Sequence, residues 1–148
     1  MKFNKFATDK VLEIEGAWVD IGDGAQVRVA RIGNDKYTKR LEHLYKPYRK
    51  MQRTNTVPDD LARKLFIDAL ANTVLLEWKG FKDDSGAEIP YSTELAITQL
   101  TDLKDFRELI VEIASEAATY RNDEIEEEGA ILAKKSSGTL TGEADSTT

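Results

Sequence analysis

The run Glu77-Trp78-Lys79-Gly80-Phe81-Lys82-Asp83-Asp84-Ser85-Gly86-Ala87-Glu88-Ile89-Pro90-Tyr91-Ser92 divides the apolar pattern of this chain in two. Before it lies a long apolar helical stretch that ends at Trp78; after it, helical spacing resumes and continues through Leu109. Gly80 and the Asp83-Asp84-Ser85-Gly86 cluster supply turn chemistry, so a short polar hairpin is expected between the helices. Trp78, Phe81, Ile89 and Tyr91 are spaced to fold apolar groups back onto those helices. The order is helix, hairpin, helix, helix, and nothing in it is catalytic.

Upstream, residues 58–78 carry Leu61, Leu65, Phe66, Ala69, Leu70 and Val74 along one face, which Leu75 and Leu76 broaden, so this helix is expected to be central. Thr56-Val57-Pro58-Asp59 offers a cap, an early-turn proline and an acidic first turn. Within residues 34–53, Tyr37, Leu41, Leu44, Tyr45, Tyr48 and Met51 form one stripe on a helix capped by Asn34 or Asp35. Pro47 lacks an N–H, and that helix should break into two pieces around it. Between residues 11 and 32 the pattern alternates with a period of two about Gly22-Asp23-Gly24, which marks a β-hairpin. A three-residue loop there sets Ile21 opposite Ala25, Val19 opposite Val27 and Ala17 opposite Val29, with Trp18 opposite Arg28 on the other surface. An isolated hairpin is marginal, so its apolar face must meet helices or a neighbouring subunit.

Downstream, Ser92 should cap a helix over residues 92–101 and Asp102 the last one, over 102–128. Leu103, Phe106, Leu109, Ile110, Ile113, Ala114 and Ala117 give that last helix a near-heptad seam. Past it, residues 134–148 are small and polar, too poor in apolar surface to fold, and are expected to be a disordered tail. The fold class expected is therefore α+β, mainly α: an N-terminal β-hairpin, a helical bundle with a short second hairpin, and one domain over residues 1–133.

At 148 residues the chain has the size of one domain that folds without metals or disulfides. It has no cysteine, which excludes disulfides, thiolate zinc sites and cysteine nucleophiles. No apolar segment approaches the length of a signal peptide or a bilayer span, so no membrane partner and a cytoplasmic location are expected. The net charge of −6 is unevenly spread: residues 1–53 hold 12 basic and 7 acidic side chains, residues 54–148 hold 9 and 20. Such a two-ended molecule can steer partners or bring copies together head to tail; separate solvated faces produce the same asymmetry.

Each candidate for chemistry has a plainer explanation. His43, the only histidine, lies in a basic helix with Glu42 pointing elsewhere, which is no acid–base pair. Asp83, Asp84, Ser85 and Glu88 do not match a calcium loop and read as turn solvation. Gly22-Asp23-Gly24 lacks the third glycine and the strand-to-helix setting of a phosphate loop. Lys36, Lys39, Arg40, Lys46, Arg49, Lys50 and Arg53 could follow a phosphate backbone, but the interleaved tyrosines belong to the apolar stripe and the acidic remainder repels a polyanion. Trp78 and Phe81 suit the core, and Trp18 suits a partner. The expectation is a protein that is not an enzyme, with no catalytic residue, cofactor or metal site, and with nucleic acid not its partner.

The ordered segments Trp18-Val19-Asp20-Ile21-Gly22-Asp23-Gly24-Ala25-Gln26-Val27-Arg28-Val29-Ala30-Arg31, then Lys46-Pro47, then Pro90-Tyr91-Ser92 and Leu103-Lys104-Asp105-Phe106-Arg107, resemble the tail assembly chaperones of long-tailed, siphovirus-type bacteriophages. The resemblance covers residues 13–128, and it rests on the order of four loosely conforming segments rather than on one motif. Thr93 departs from it, since similar proteins often place a proline there. The resemblance implies a chaperone that binds the tape-measure protein in the host bacterial cytoplasm, keeps its apolar helices soluble until tail-tube polymerisation displaces it, and is absent from the mature virion. It also implies a longer product made by ribosomal frameshifting, with Lys134-Lys135 a plausible slippage position, whose extension recruits the tail-tube protein. The partner-binding residues expected are Trp18, Val19, Val27 and Val29 on the hairpin and Phe106, Leu109 and Ile113 on the last helix, with a homo-oligomer compatible. The alternatives are a structural virion component, for tail completion or head–tail joining, and a nucleic-acid-binding regulator.

Overall fold

A computed structural model describes residues 1–121. The expected tail at 134–148, Lys134, Lys135 and the last turns of the helix expected over 102–128 lie outside the described residues. The fold is mainly helical with one antiparallel sheet, as the pattern of the chain implies. The opening of the first hairpin, the segment before the polar hairpin, and both ends of the last helix differ from expectation.

The first is the opening of the hairpin. Residues 10–15 are a short helix, α1 (Lys10–Glu15), rather than the start of a strand. Asp9 accounts for this, because its carboxylate accepts hydrogen bonds from the Val11 and Leu12 amides, and Gly16 ends the turn at a φ of 89°. Strands β1 (Ala17–Gly22) and β2 (Ala25–Val29) then pair with Ala17 opposite Val29, Trp18 opposite Arg28 and Val19 opposite Val27, as expected. The loop is one residue tighter than expected. Asp23 and Gly24 both have positive φ, Gly22 faces Ala25, and Ile21 falls in an irregularity of the register.

The second is the segment before the polar hairpin. Helix α4 (Asp59–Thr73) stops five residues short of Trp78, and β3 (Leu75–Lys79) takes up the remainder as a third strand beside β2. A continuous apolar run does not distinguish strand from helix, and the unpaired edge of β2 decides it. The end of α4 is fixed by the side-chain amide of Asn34, which donates to the Thr73 carbonyl, while Ala30 N donates to the Val74 carbonyl.

The remaining helices are α2 (Asp35–Tyr45), α3 (Arg49–Arg53), α5 (Thr93–Asp102) and α6 (Lys104–Ser115). Asn34 caps α2 through Tyr37 N at 3.0 Å, and the break at Pro47 is a 3₁₀ turn over Lys46–Tyr48. Ser92 caps α5 through Leu95 N at 3.1 Å. Asp102 is the last residue of α5 rather than a cap for α6; extended Leu103 makes the junction, and the Arg107 guanidinium donates to the Leu100 carbonyl. Helix α6 ends at Ser115, where Glu116 turns extended and a 3₁₀ turn follows over Ala117–Tyr120.

The helices cover one face of the sheet: α4 meets α2, α5 and β3, and α6 meets α5 and β2. Val27 and Val29 join Leu70, Val74, Leu75, Trp78, Leu100 and Ile110 in one buried cluster. Burying a side chain of this kind contributes roughly 1.5–3 kcal/mol. The pairing register leaves Trp18, Asp20, Gln26, Arg28, Glu77 and Lys79 on the other face.

Candidate functional site

Trp78 is buried at β3, and the chain then turns at Gly80 so that Phe81 lies edge to face with it, ring centroids 5.6 Å apart. The hairpin that follows is tied by Ile89 N to the Phe81 carbonyl at 2.7 Å and by the Trp78 indole N–H to the Ile89 carbonyl at 2.8 Å. Its tip is held by the Asp83 carboxylate, which accepts from Ser85 N, Ser85 Oγ and Ala87 N. These bonds, the Ser85 hydroxyl first, keep the Asp83 carboxyl below the usual carboxylate range. Among the described residues no group of three His, Cys, Asp or Glu side chains could hold a metal.

This hairpin and the start of α6 enclose an apolar groove of about 180 Å³ lined by Trp78, Phe81, Ile89, Leu95, Gln99, Leu103 and Phe106. Phe81 bridges its walls, meeting Phe106 edge to face at 5.9 Å. Tyr91 braces the groove from behind: its ring meets Trp78 at 4.9 Å and its hydroxyl donates to the Leu75 carbonyl at 2.7 Å. Burial raises the Tyr91 pKa, so the hydroxyl stays a donor. Leu103, at the junction of α5 and α6, is 50% exposed among the described residues and forms the lip of the groove. A larger, more open hollow of about 580 Å³ shares Trp78 and Ile89 with it and is otherwise lined by Glu77, Lys79, Glu88, Pro90 and Tyr91, so it offers less to an apolar group.

The chain positions flanking the lining residues are strongly acidic. Asp83, Asp84, Glu88, Glu94, Asp102 and Asp105 are exposed, against Lys82 and Lys104. Lys79 and Arg107 are engaged elsewhere, Lys79 Nζ 4.2 Å from the Trp18 ring centroid and Arg107 on the Leu100 carbonyl.

Of the residues expected to bind a partner, Phe106 lines the groove, and Leu109 and Ile113 are half-buried further along α6. Val27 and Val29 are corrected: both are 0% exposed beneath the helices and present no surface to a partner. Val19 is half-buried against the same cluster, and Trp18, 40% exposed, lies on the opposite face of the sheet. The structure therefore does not bring the two expected sets together. The groove residues other than Phe106 were missed as a site, although all seven fall within the Glu77–Leu109 stretch whose aromatic spacing is conspicuous. The basic surface of α2 and α3 is largely exposed, with Arg40 paired to Asp68 at 2.8 Å and Tyr37, Tyr45 and Tyr48 half-buried. Among the described residues no helix is long and apolar enough to cross a membrane.

What the fold and groove define is a small α+β protein with an open apolar groove on its surface. The chain belongs to the YdaY prophage protein family, whose model matches residues 32–130, about two thirds of the sequence and the whole of the groove. No curated protein and no solved structure matches it.

Proposed function

We propose that this prophage protein is a tail assembly chaperone, not an enzyme, whose client is the tape-measure protein. The observation that supports this reading is the open apolar groove beside Leu103 and Phe106, which has room for one or two large side chains projecting from an amphipathic helix. Burying one such side chain yields roughly 1.5–3 kcal/mol. That is less than the several kcal/mol lost when two molecules associate, so a single groove binds weakly and lets go readily. Many copies along one long client would cover it collectively, and polymerising tail-tube subunits could displace them one at a time. The acidic surround keeps such a covered client soluble. In this reading the protein works in the host cytoplasm and stays out of the mature virion. A longer product reading through Lys134-Lys135 would recruit the tail-tube protein.

Co-expression with the tape-measure protein tests the proposal. The wild-type chain should keep the client soluble and co-purify with it, and Leu103→Asp, at a half-exposed position, should lose both while retaining the thermal midpoint of the wild type. A client equally soluble with and without the chain, or the chain recovered stoichiometrically from purified virions, overturns it in favour of a structural role.

A further inference from the structure

Near its N-terminus the chain displays two phenylalanines to solvent. Phe3 is 95% and Phe6 64% exposed, on a single 3₁₀ turn over Phe3–Phe6 where residues three apart share a side. Lys2 precedes them and Lys5 lies between them in the chain, so the segment is aromatic and cationic. The groove is its complement, an apolar slot whose lining residues are flanked along the chain by exposed carboxylates. We propose that the Phe3–Phe6 turn of one copy docks in the Trp78–Phe106 groove of a second copy, making the groove self-occluding until a client takes the place of the neighbour.

The occupant is a second copy because the turn of the same copy stands exposed rather than seated in its own groove. Asp9 N donates to the Tyr120 carbonyl at 2.7 Å, which ties the N-terminal segment to the 3₁₀ turn that follows α6. The groove lies at the start of α6, at Leu103 and Phe106. Helix α6 is 12 residues long, about 18 Å at 1.5 Å per residue. With both rings exposed, the Phe3–Phe6 turn does not fill the groove of its own copy and is offered to a neighbouring molecule. Turn and groove are different surfaces, so the contact is heterologous, and each copy that docks leaves its own groove free for another. The charge asymmetry acts in the same direction: the lysines of one copy meet the aspartates and glutamates of the next.

The inference rests on the groove being the docking site proposed above, but its test needs no client. In sedimentation velocity, the purified full chain should associate as concentration rises, and the association should weaken at least tenfold between about 0.05 and about 1 M salt. Phe6→Asp and Leu103→Asp, both at exposed positions, should each be monomeric with unchanged circular dichroism. Mixed together, they should form one-to-one dimers and nothing larger, since one retains the groove and the other the aromatic turn. A wild-type chain that stays monomeric, association unaffected by either substitution, or a mixture that remains monomeric overturns the inference. Self-association that persists while the tape-measure protein fails to bind would sink the chaperone reading alone.

Discussion

Gly80 shows how much a single backbone position can carry. Its φ is +83°, and a Cβ there would stand 2.1 Å from the Gly24 carbonyl oxygen, so any side chain forces the first hairpin away from β3. Gly86 has nearly the same φ, +85°, with nothing within 4 Å of the missing Cβ. Gly86→Ala should therefore cost about 1–2 kcal/mol, the strain of the left-handed conformation alone. Gly80→Ala should cost distinctly more, because the steric overlap with a carbonyl adds to the same strain. Urea unfolding of the two variants checks the order, and equal midpoints would refute it. The turn role of Gly80 is legible in the chain; its contact with Gly24 is not, since that contact exists only once β3 has joined the sheet.

At the scale of elements, local chemistry was readable wherever it was self-contained and misleading wherever a distant partner decided. Asn34 and Ser92 cap their helices and Pro47 breaks the basic helix because each acts within a few residues. The run Val74-Leu75-Leu76-Glu77-Trp78 suits a buried helix as well as a strand, and only the open edge of β2 selects the strand. The groove suffered the same fate, because the slot exists only once the hairpin after β3 stands beside α6. Helix α1 depends on a partner from outside too. Its Glu13 carboxylate accepts from Thr8 Oγ1 and Arg31 Nη1, each at 2.6 Å. Burial pushes the Glu13 pKa up, but the bonds from Thr8 and Arg31 outweigh it and hold the group below its ordinary value of 4.5. A carboxyl more acidic in the folded state contributes stability above pH 4.5 that is lost as pH falls through the folded pKa. Glu13→Gln should accordingly lower the urea midpoint at neutral pH, and its deficit against the wild type should shrink as the pH drops below 4.5. A deficit that is constant with pH would show that the charge of Glu13 is irrelevant.

Taken whole, the molecule is closed by Tyr120. Its side chain is completely buried, its hydroxyl donates to the Val29 carbonyl at 3.0 Å, and its own carbonyl receives Asp9 N. Burial raises the phenol far above the ordinary tyrosine range, so it remains a neutral donor. One residue thus fastens the central strand, the last described turn and the N-terminal segment. Tyr120→Phe should destabilise by about 1–2 kcal/mol through the unpaired Val29 carbonyl. Tyr120→Ala should destabilise by about 3–5 kcal/mol through the cavity as well. Chemical denaturation distinguishes the two, and a Phe variant as unstable as the Ala variant would assign the effect to something other than the hydroxyl.

The two tryptophans stand on opposite sides of the sheet, Trp78 in the wall of the groove and Trp18 beneath the Lys79 ammonium. The protein consequently carries its own optical probe. With Trp18 replaced by phenylalanine, the indole emission that remains comes from the slot alone, and its wavelength reports whether that slot holds water, a neighbour or a client.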